Sequence, residues 1–158
     1  LNNTIVNPTS GTNWVAKFRF KLPQTNDTMG IVGIQTYSGY EINYDAGAAT
    51  ARRSAGAFLL YTQGMVNFRL ETRTSGGAIA ASEASTVVVN TNWNTLFLAA
   101  TNGNIFAGVN GETPIALGAA VGSTAHYYTP YFAVSSGAAA TKAIWIDYFG
   151  FIQPRRQD

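Results

Sequence analysis

The sequence predicts an all-β protein, a sandwich or barrel of short antiparallel strands. Three observations predict it. The stretch WVAKFRFKL places Trp14, Ala16, Phe18, Phe20 and Leu22 on one face and Lys17, Arg19 and Lys21 on the other, the period-2 signature of a strand with one buried and one wet face. Asn-Gly occurs at Asn102-Gly103 and again at Asn110-Gly111, each time between short apolar runs. Asn-Gly is the pair that best tolerates positive φ at both central positions of a type I′ turn, whose twist suits a hairpin. Finally, turn-forming residues recur roughly every 8–12 residues, and no segment carries an apolar stripe at helical spacing.

The elements follow in order. The first strand stops at Pro23, which cannot donate to a ladder, and QTNDT reads as a polar turn. MGIVGIQTY offers apolar surface on both faces through Ile31 and Val32, with Gly30 and Gly33 allowing close approach. YEINYD alternates Tyr40, Ile42 and Tyr44 with Glu41, Asn43 and Asp45. AGAATARRSAGA, residues 46–57, lacks an apolar stripe and reads as a surface loop. FLLYT and MVNFRLETRT form a hairpin about Gln63-Gly64, with Val66, Phe68 and Leu70 in phase. STVVVN is a β-branched run. Asn102-Gly103 then joins LFLAA to IFAGV, Asn110-Gly111 joins IFAGV to TPIAL, and AIWIDYFGFI is the last strand. Phe18, Phe20, Leu96, Leu98, Ile144 and Ile146 are expected to face the core, while Val32 and Phe106 point away from it.

Composition bounds the function. A chain of 158 residues is one domain, taken here as a single β-sandwich over residues 1–158. Hydrophobic residues make up 46% and charged residues only 11%, so the surface is neutral and polar. Net charge is +2, with the basic residues dispersed apart from Arg52-Arg53 and Arg155-Arg156, so no nucleic-acid partner is expected. There is no cysteine, which excludes disulfides and thiolate metal sites. No apolar run approaches the ~20 residues a spanning helix needs, so no membrane insertion is expected.

In order along the chain, WVAKFRFKLP, an IVGI strand, YEINYD, VNTNWNTLFLAATNGNIFAGVNG, TPYF and IWIDYFGF resemble the concanavalin A-like domains of bacteriophage tail-fibre and other virion proteins. The resemblance covers about Trp14 to Phe151 and lies in the order of short motifs. It implies a two-sheet antiparallel jelly-roll sandwich, a glycan-binding or adhesive role, and often a trimer. On that reading the chain is a fragment of a longer virion protein, assembled in the bacterial host cytoplasm and carried on the particle. Its partners would be a host cell-surface glycan or receptor, further copies of itself and other virion proteins.

The chemistry points to binding rather than catalysis. Glycoside hydrolases of this fold carry two or three carboxylates along one strand, and hydrolysis needs a pair across a cleft. The nearest pair in this chain is Glu41 and Asp45, which share a strand face without a third carboxylate. His126 is the only histidine and no Gly-x-Ser-x-Gly elbow exists, so no nucleophile triad and no catalytic residue is assigned. No metal site and no cofactor are assigned either. Calcium could draw on backbone carbonyls near Asn26-Asp27, although an ordinary turn is the simpler reading. Trp14, Trp93 and Trp145 are read as core or sheet-packing aromatics. The candidate ligand-binding residues are tyrosines and a histidine placed on loops: Tyr37 and Tyr40 in YSGY, and His126, Tyr127, Tyr128 and Tyr131 in HYYTPY.

The resulting expectation is a non-catalytic adhesive domain of a phage fibre or spike. A capsid-decoration or assembly module and a carbohydrate-binding module of a secreted bacterial glycanase are the alternatives. Strands apolar on both faces, in a chain with so little charge, lead us to expect a homo-oligomer, with a trimer favoured by the resemblance.

Overall fold

Alternation along residues 14–22 holds throughout: Trp14, Ala16, Phe18, Phe20 and Leu22 are buried, and Lys17 is exposed. This first strand, β1 (Trp14–Lys21), is followed by β2 (Thr28–Thr36), β3 (Asn43–Asp45), β4 (Ala48–Ala51), β5 (Gly56–Tyr61) and β6 (Asn67–Arg73). Then come β7 (Ile79–Val88), β8 (Trp93–Thr101), β9 (Asn104–Val109), β10 (Ile115–Ala119), β11 (Tyr128–Ser136) and β12 (Trp145–Ile152). The structure, a computed structural model, describes residues 13–26, 28–36, 43–45, 48–51, 55–74, 78–119, 128–136 and 142–153.

Two five-stranded antiparallel sheets pack face to face. Sheet I has the order β10-β9-β8-β1-β12 and sheet II the order β11-β2-β5-β6-β7, with β3 and β4 forming a separate pair. One core joins them: Phe18, Phe20, Leu96 and Leu98 from sheet I meet Val32, Leu59, Phe68 and Leu70 from sheet II. Each fully buried side chain of this kind contributes roughly 1.5–3 kcal/mol relative to exposure. Edge-to-face contacts order the aromatic part, with Phe18 against Phe132 at 5.6 Å and Phe20 against Phe68 at 6.1 Å. Pro130 lies in β11, an edge strand, where a missing donor does least harm.

The turns match their chemistry. Asn102 and Gly103 have φ of 49° and 79°, and Asn110 and Gly111 have 50° and 81°, positive at both central positions as a primed turn requires. The second turn is anchored to β8, because the Asn110 N–H donates to the Thr95 carbonyl at 2.9 Å and Thr95 N–H donates to Asn110 Oδ1 at 2.8 Å. Glu112, just beyond it, accepts from Val109 N–H, Ser85 Oγ, Thr86 N–H and Thr86 Oγ1 at 2.6–2.8 Å. One carboxylate thereby ties the β9–β10 turn of sheet I to β7 of sheet II. Burial alone would raise its pKa; the hydrogen bonds from Thr86, Ser85 and Val109 outweigh burial and hold it below the ordinary carboxylate range.

Sheet II buries part of its outer face as well. Ile31, Phe58 and Leu60 form a second, small cluster there, with Tyr131 packed against it. In the same face Arg73 Nε donates to Glu71 Oε1 at 2.9 Å, with side chains 4% and 1% exposed, so the pair is desolvated and mutually dependent. By alternation Glu71 would be a wet-face residue; Arg73 is what lets it be buried.

Several expectations are corrected. The surface loop expected over residues 46–57 contains strand β4, paired to β3, and the start of β5. Hairpin pairing overrides the weak strand preference of alanine there. Strand β7 begins at Ile79, well before STVVVN. Val32 lies in the main core while Ile31 takes the outer face, the reverse of the expected assignment. Val66 precedes β6 and is 73% exposed, out of the Phe68–Leu70 stripe. Ile144 packs against the core, but Ile146 is 44% exposed although it faces Phe20, because β12 is the edge strand of sheet I.

Candidate ligand-binding face

The outer face of sheet I is built by register. Lys21 on β1 stands opposite Trp93 on β8 and opposite Trp145 on β12, so three strands place Trp93, Lys21 and Trp145 in one row. The next row is Thr95, Arg19 and Tyr148, and the one after it Phe97, Lys17 and Gly150. With strands about 4.8 Å apart, the two tryptophan backbones are roughly 9–10 Å from each other with the lysine between them.

The two indoles are open to solvent, Trp93 at 39% and Trp145 at 50% exposure. Each has a cation beside it: Arg19 Cζ lies 5.3 Å from the Trp93 ring centroid, and Lys21 Nζ 5.0 Å from that of Trp145. Such contacts contribute about 0.5–1 kcal/mol at exposed sites and bias the cations toward the rings. Arg19 Nη1 also donates to Asp147 Oδ2 at 2.7 Å.

Local sequence explains how these groups are held. The ladder pairs Arg19 with Tyr148 and Phe20 with Ile146, which leaves Asp147 as the extra residue of a β-bulge. The bulge keeps Trp145 and Tyr148 on the outer face and Phe149 on the inner one, where its ring lies 4.8 Å from Phe18. Trp93 is positioned by an asparagine cluster at the start of β8. Asn94, fully buried, donates to Asn92 O at 2.9 Å and to Asn90 Oδ1 at 3.2 Å, and accepts from Asn110 Nδ2 at 2.8 Å. With its polar atoms satisfied, Asn94 turns inward and Trp93 turns out.

Of the residues proposed from sequence, Tyr37, Tyr40, His126 and Tyr127 lie outside the described residues. Tyr128 opens β11, its backbone opposite Thr36. Tyr131 belongs to sheet II, half-buried, with its ring edge-on to Phe58 at 6.5 Å. It therefore packs on a different sheet from the tryptophan row. The expectation that Trp93 and Trp145 are core or sheet-packing aromatics is corrected: both rings stand outward. The sequence carries the signal, since Trp93 is out of phase with Leu96 and Leu98, and Trp145 with Ile144 and Ile146. Phase outweighs the general tendency of aromatics to be buried. Only Trp14, in phase with Phe18, is buried.

Among the described residues of β8, β1 and β12 the one carboxylate is Asp147, paired with Arg19; elsewhere Glu71 is paired with Arg73, and Glu112 accepts from four donors. Among the described residues no three His, Cys, Asp or Glu side chains group as metal ligands. Near the suggested calcium turn, the Asn26 carbonyl already accepts from Lys142 Nζ at 2.8 Å, and Asp27 lies outside the described residues.

No protein-family model matches the chain, and no curated protein matches it in sequence. Solved structures do match. The chain is similar to sheep galectin-11 in complex with glycerol, at 10% identity and a TM-score of 0.54, covering 94% of this chain and 99% of that one. It is similar to the exoplasmic/lumenal domain of VIP36 in a form bound to Ca2+ and Man3GlcNAc, at 13% identity and a TM-score of 0.58, covering 96% and 73%. It is also similar to alginate lyase from Alteromonas sp. 272, at 9% identity and a TM-score of 0.56, covering 91% and 72%. At such identities the likeness speaks to fold: a concanavalin A-like jelly-roll sandwich. Binding proteins and a lyase share it, so function must be argued from the site.

Proposed function

We propose that this chain is a non-catalytic binding domain that recognises a glycan on a host cell surface as part of a bacteriophage tail fibre or spike. The observation that carries the reading is the Trp93–Lys21–Trp145 row, two solvent-open indoles on a rigid sheet with a lysine between them. A flat ring suits the apolar face of a pyranose, and neighbouring polar groups suit its hydroxyls. The likeness to VIP36 in its Man3GlcNAc-bound form supports a saccharide ligand, and the order of sequence motifs supports the virion setting. The carboxylates described above are engaged by structural partners, which supports binding without cleavage. A glycan array probed with the wild type and with Trp93→Ala/Trp145→Ala tests this. Binding lost in the folded variant is the expected result, and a blank array with folded wild type sinks the reading.

A second role, assembly, is favoured by the far end of β12. Ile152 is 71% exposed there, opposite Val15 on the outer face of an edge strand. An apolar edge of this kind is suited to contact with a second copy. A homo-oligomer, taken as a trimer, is the expected state on the virion. Sedimentation at micromolar concentration that finds only monomer removes this part.

A further inference from the structure

We infer that the glycan held by the Trp93–Lys21–Trp145 face is acidic, a saccharide bearing carboxylate or phosphate groups; the inference rests on the binding role proposed above. Its first support is charge. The outward side of β1 carries Lys17, Arg19 and Lys21 at alternate positions, and the strands beside it contribute one carboxylate, Asp147. Asp147 is committed to Arg19 at 2.7 Å. Among the described residues neither Lys17 nor Lys21 has a carboxylate partner. Positive charge on this face is therefore left uncompensated, in a chain whose net charge is only +2.

The second support is the balance of donors and acceptors. Sugar hydroxyls both donate and accept, so a face built for a neutral saccharide must offer both. Here the outward polar groups are Lys17, Lys21 and Arg19, which only donate, with the hydroxyls of Thr95 and Tyr148 beside them. The one carboxylate, Asp147, accepts from Arg19 through Oδ2 and keeps its other acceptor positions open to solvent. Asn110 Oδ1, at the end of β9, already accepts from Thr95 N–H. A surface with three cationic donor groups and one carboxylate is complementary to anionic oxygens, and charge-assisted bonds are the strong ones.

The third support is placement. Lys21 Nζ is held 5.0 Å from the Trp145 ring, in the row that also holds Trp93. A pyranose stacked on either indole therefore has the Lys21 ammonium one strand away, where an acidic substituent would meet it. The cations run along a single strand between aromatic neighbours, too narrow a stripe for the broad basic footprint of a nucleic-acid binder.

The test is a panel of bacterial acidic and neutral glycans, assayed at low and high salt against wild type and Lys17→Gln/Lys21→Gln, with folding checked by near-UV circular dichroism. Bound glycans are expected to carry uronate or phosphate, to bind at least tenfold less after the acidic group is capped or removed, and to weaken with salt. Methyl esterification and phosphatase treatment distinguish a carboxylate from a phosphate. The double lysine variant is expected to lose tenfold or more on acidic glycans. Neutral glycans bound as tightly as acidic ones, unaffected by salt or by the lysine variant, would overturn the acidic inference and leave glycan binding standing. A blank panel with folded protein would overturn both. Equal competition by a duplex oligonucleotide would reduce the face to a general polyanion patch and overturn the inference as well. Because capping and salt are read on the wild type, the outcome does not depend on the variant folding.

Discussion

Gly33 on β2 lies directly opposite Phe58 on β5, and the space its missing side chain leaves is occupied by Phe58. A Cβ at Gly33 would fall 2.2 Å from the Ala57 carbonyl oxygen, 2.8 Å from Phe58 Cα and 3.0 Å from Phe58 Cδ1. Two of those atoms are backbone and cannot swing away. Gly33→Ala is therefore expected to destabilise the domain by about 1–3 kcal/mol, the usual range for overpacking. Urea unfolding measures it, and an unchanged midpoint would mean that the two strands separate more easily than their ladder suggests.

Glu112 makes stability depend on pH with a definite sign. Its folded-state pKa lies below the ordinary carboxylate value, so its contribution is fully present above the unfolded pKa and is lost as pH falls through the folded one. Glu112→Gln turns an acceptor-only group into one that points donors at donors. A loss of about 1–3 kcal/mol at neutral pH is expected, shrinking toward zero in acid. Thermal melts of both proteins from neutral to acid pH check this, and parallel pH curves for the two would refute it.

Phe20 and Ile146 face each other across the β1–β12 ladder yet should respond very differently to truncation. Phe20 is fully buried, and Phe20→Ala is expected to cost roughly 3–5 kcal/mol. Ile146→Ala, at an exposed edge, is expected to cost less than about 1 kcal/mol. Comparable losses in chemical denaturation would show that the edge is covered in solution, as an oligomer would require.

The Asn102-Gly103 turn is open around its glycine: among the described residues, no atom beyond its chain neighbours lies within 4 Å of where a Cβ would stand, so strain there is conformational. At φ of 79° a β-branched residue is unfavourable. Gly103→Val is expected to lose about 1–3 kcal/mol, whereas Gly103→Asn should be nearly neutral. Equal melting temperatures for the two variants would contradict the turn assignment.

Much of the sandwich is legible in the sequence because period-2 burial and primed-turn chemistry are local. Phe18, Phe20, Leu96 and Leu98 need only their own strands to be assigned, and both Asn-Gly turns need only their own residues. The proposed ligand face is not legible as such, since it is made by register between β8, β1 and β12, and pairing across 128 residues is not written in any one strand. Phase arithmetic alone does turn Trp93 outward. In β12 phase turns Trp145 away from Ile146 but fails beyond Asp147: counted evenly, Phe149 shares a face with Trp145, and the bulge at Asp147 separates them. Glu71 escapes alternation for a related reason, because its burial depends on a partner two residues away rather than on the pattern around it.

The extra residue in β12 has a consequence for how such a surface could diversify. Since Trp145 and Ile146 on one side and Tyr148 and Phe149 on the other keep their partners on β1, Asp147 could be deleted or exchanged without moving any aromatic ring to the other face. What would change is the electrical character of the surface, because Arg19 would be released from its counter-ion. On the acidic-ligand proposal, a single codon would set how much uncompensated positive charge this face carries. Variants exchanging only Asp147 would keep the same aromatic rings on the same faces while presenting differently charged surfaces.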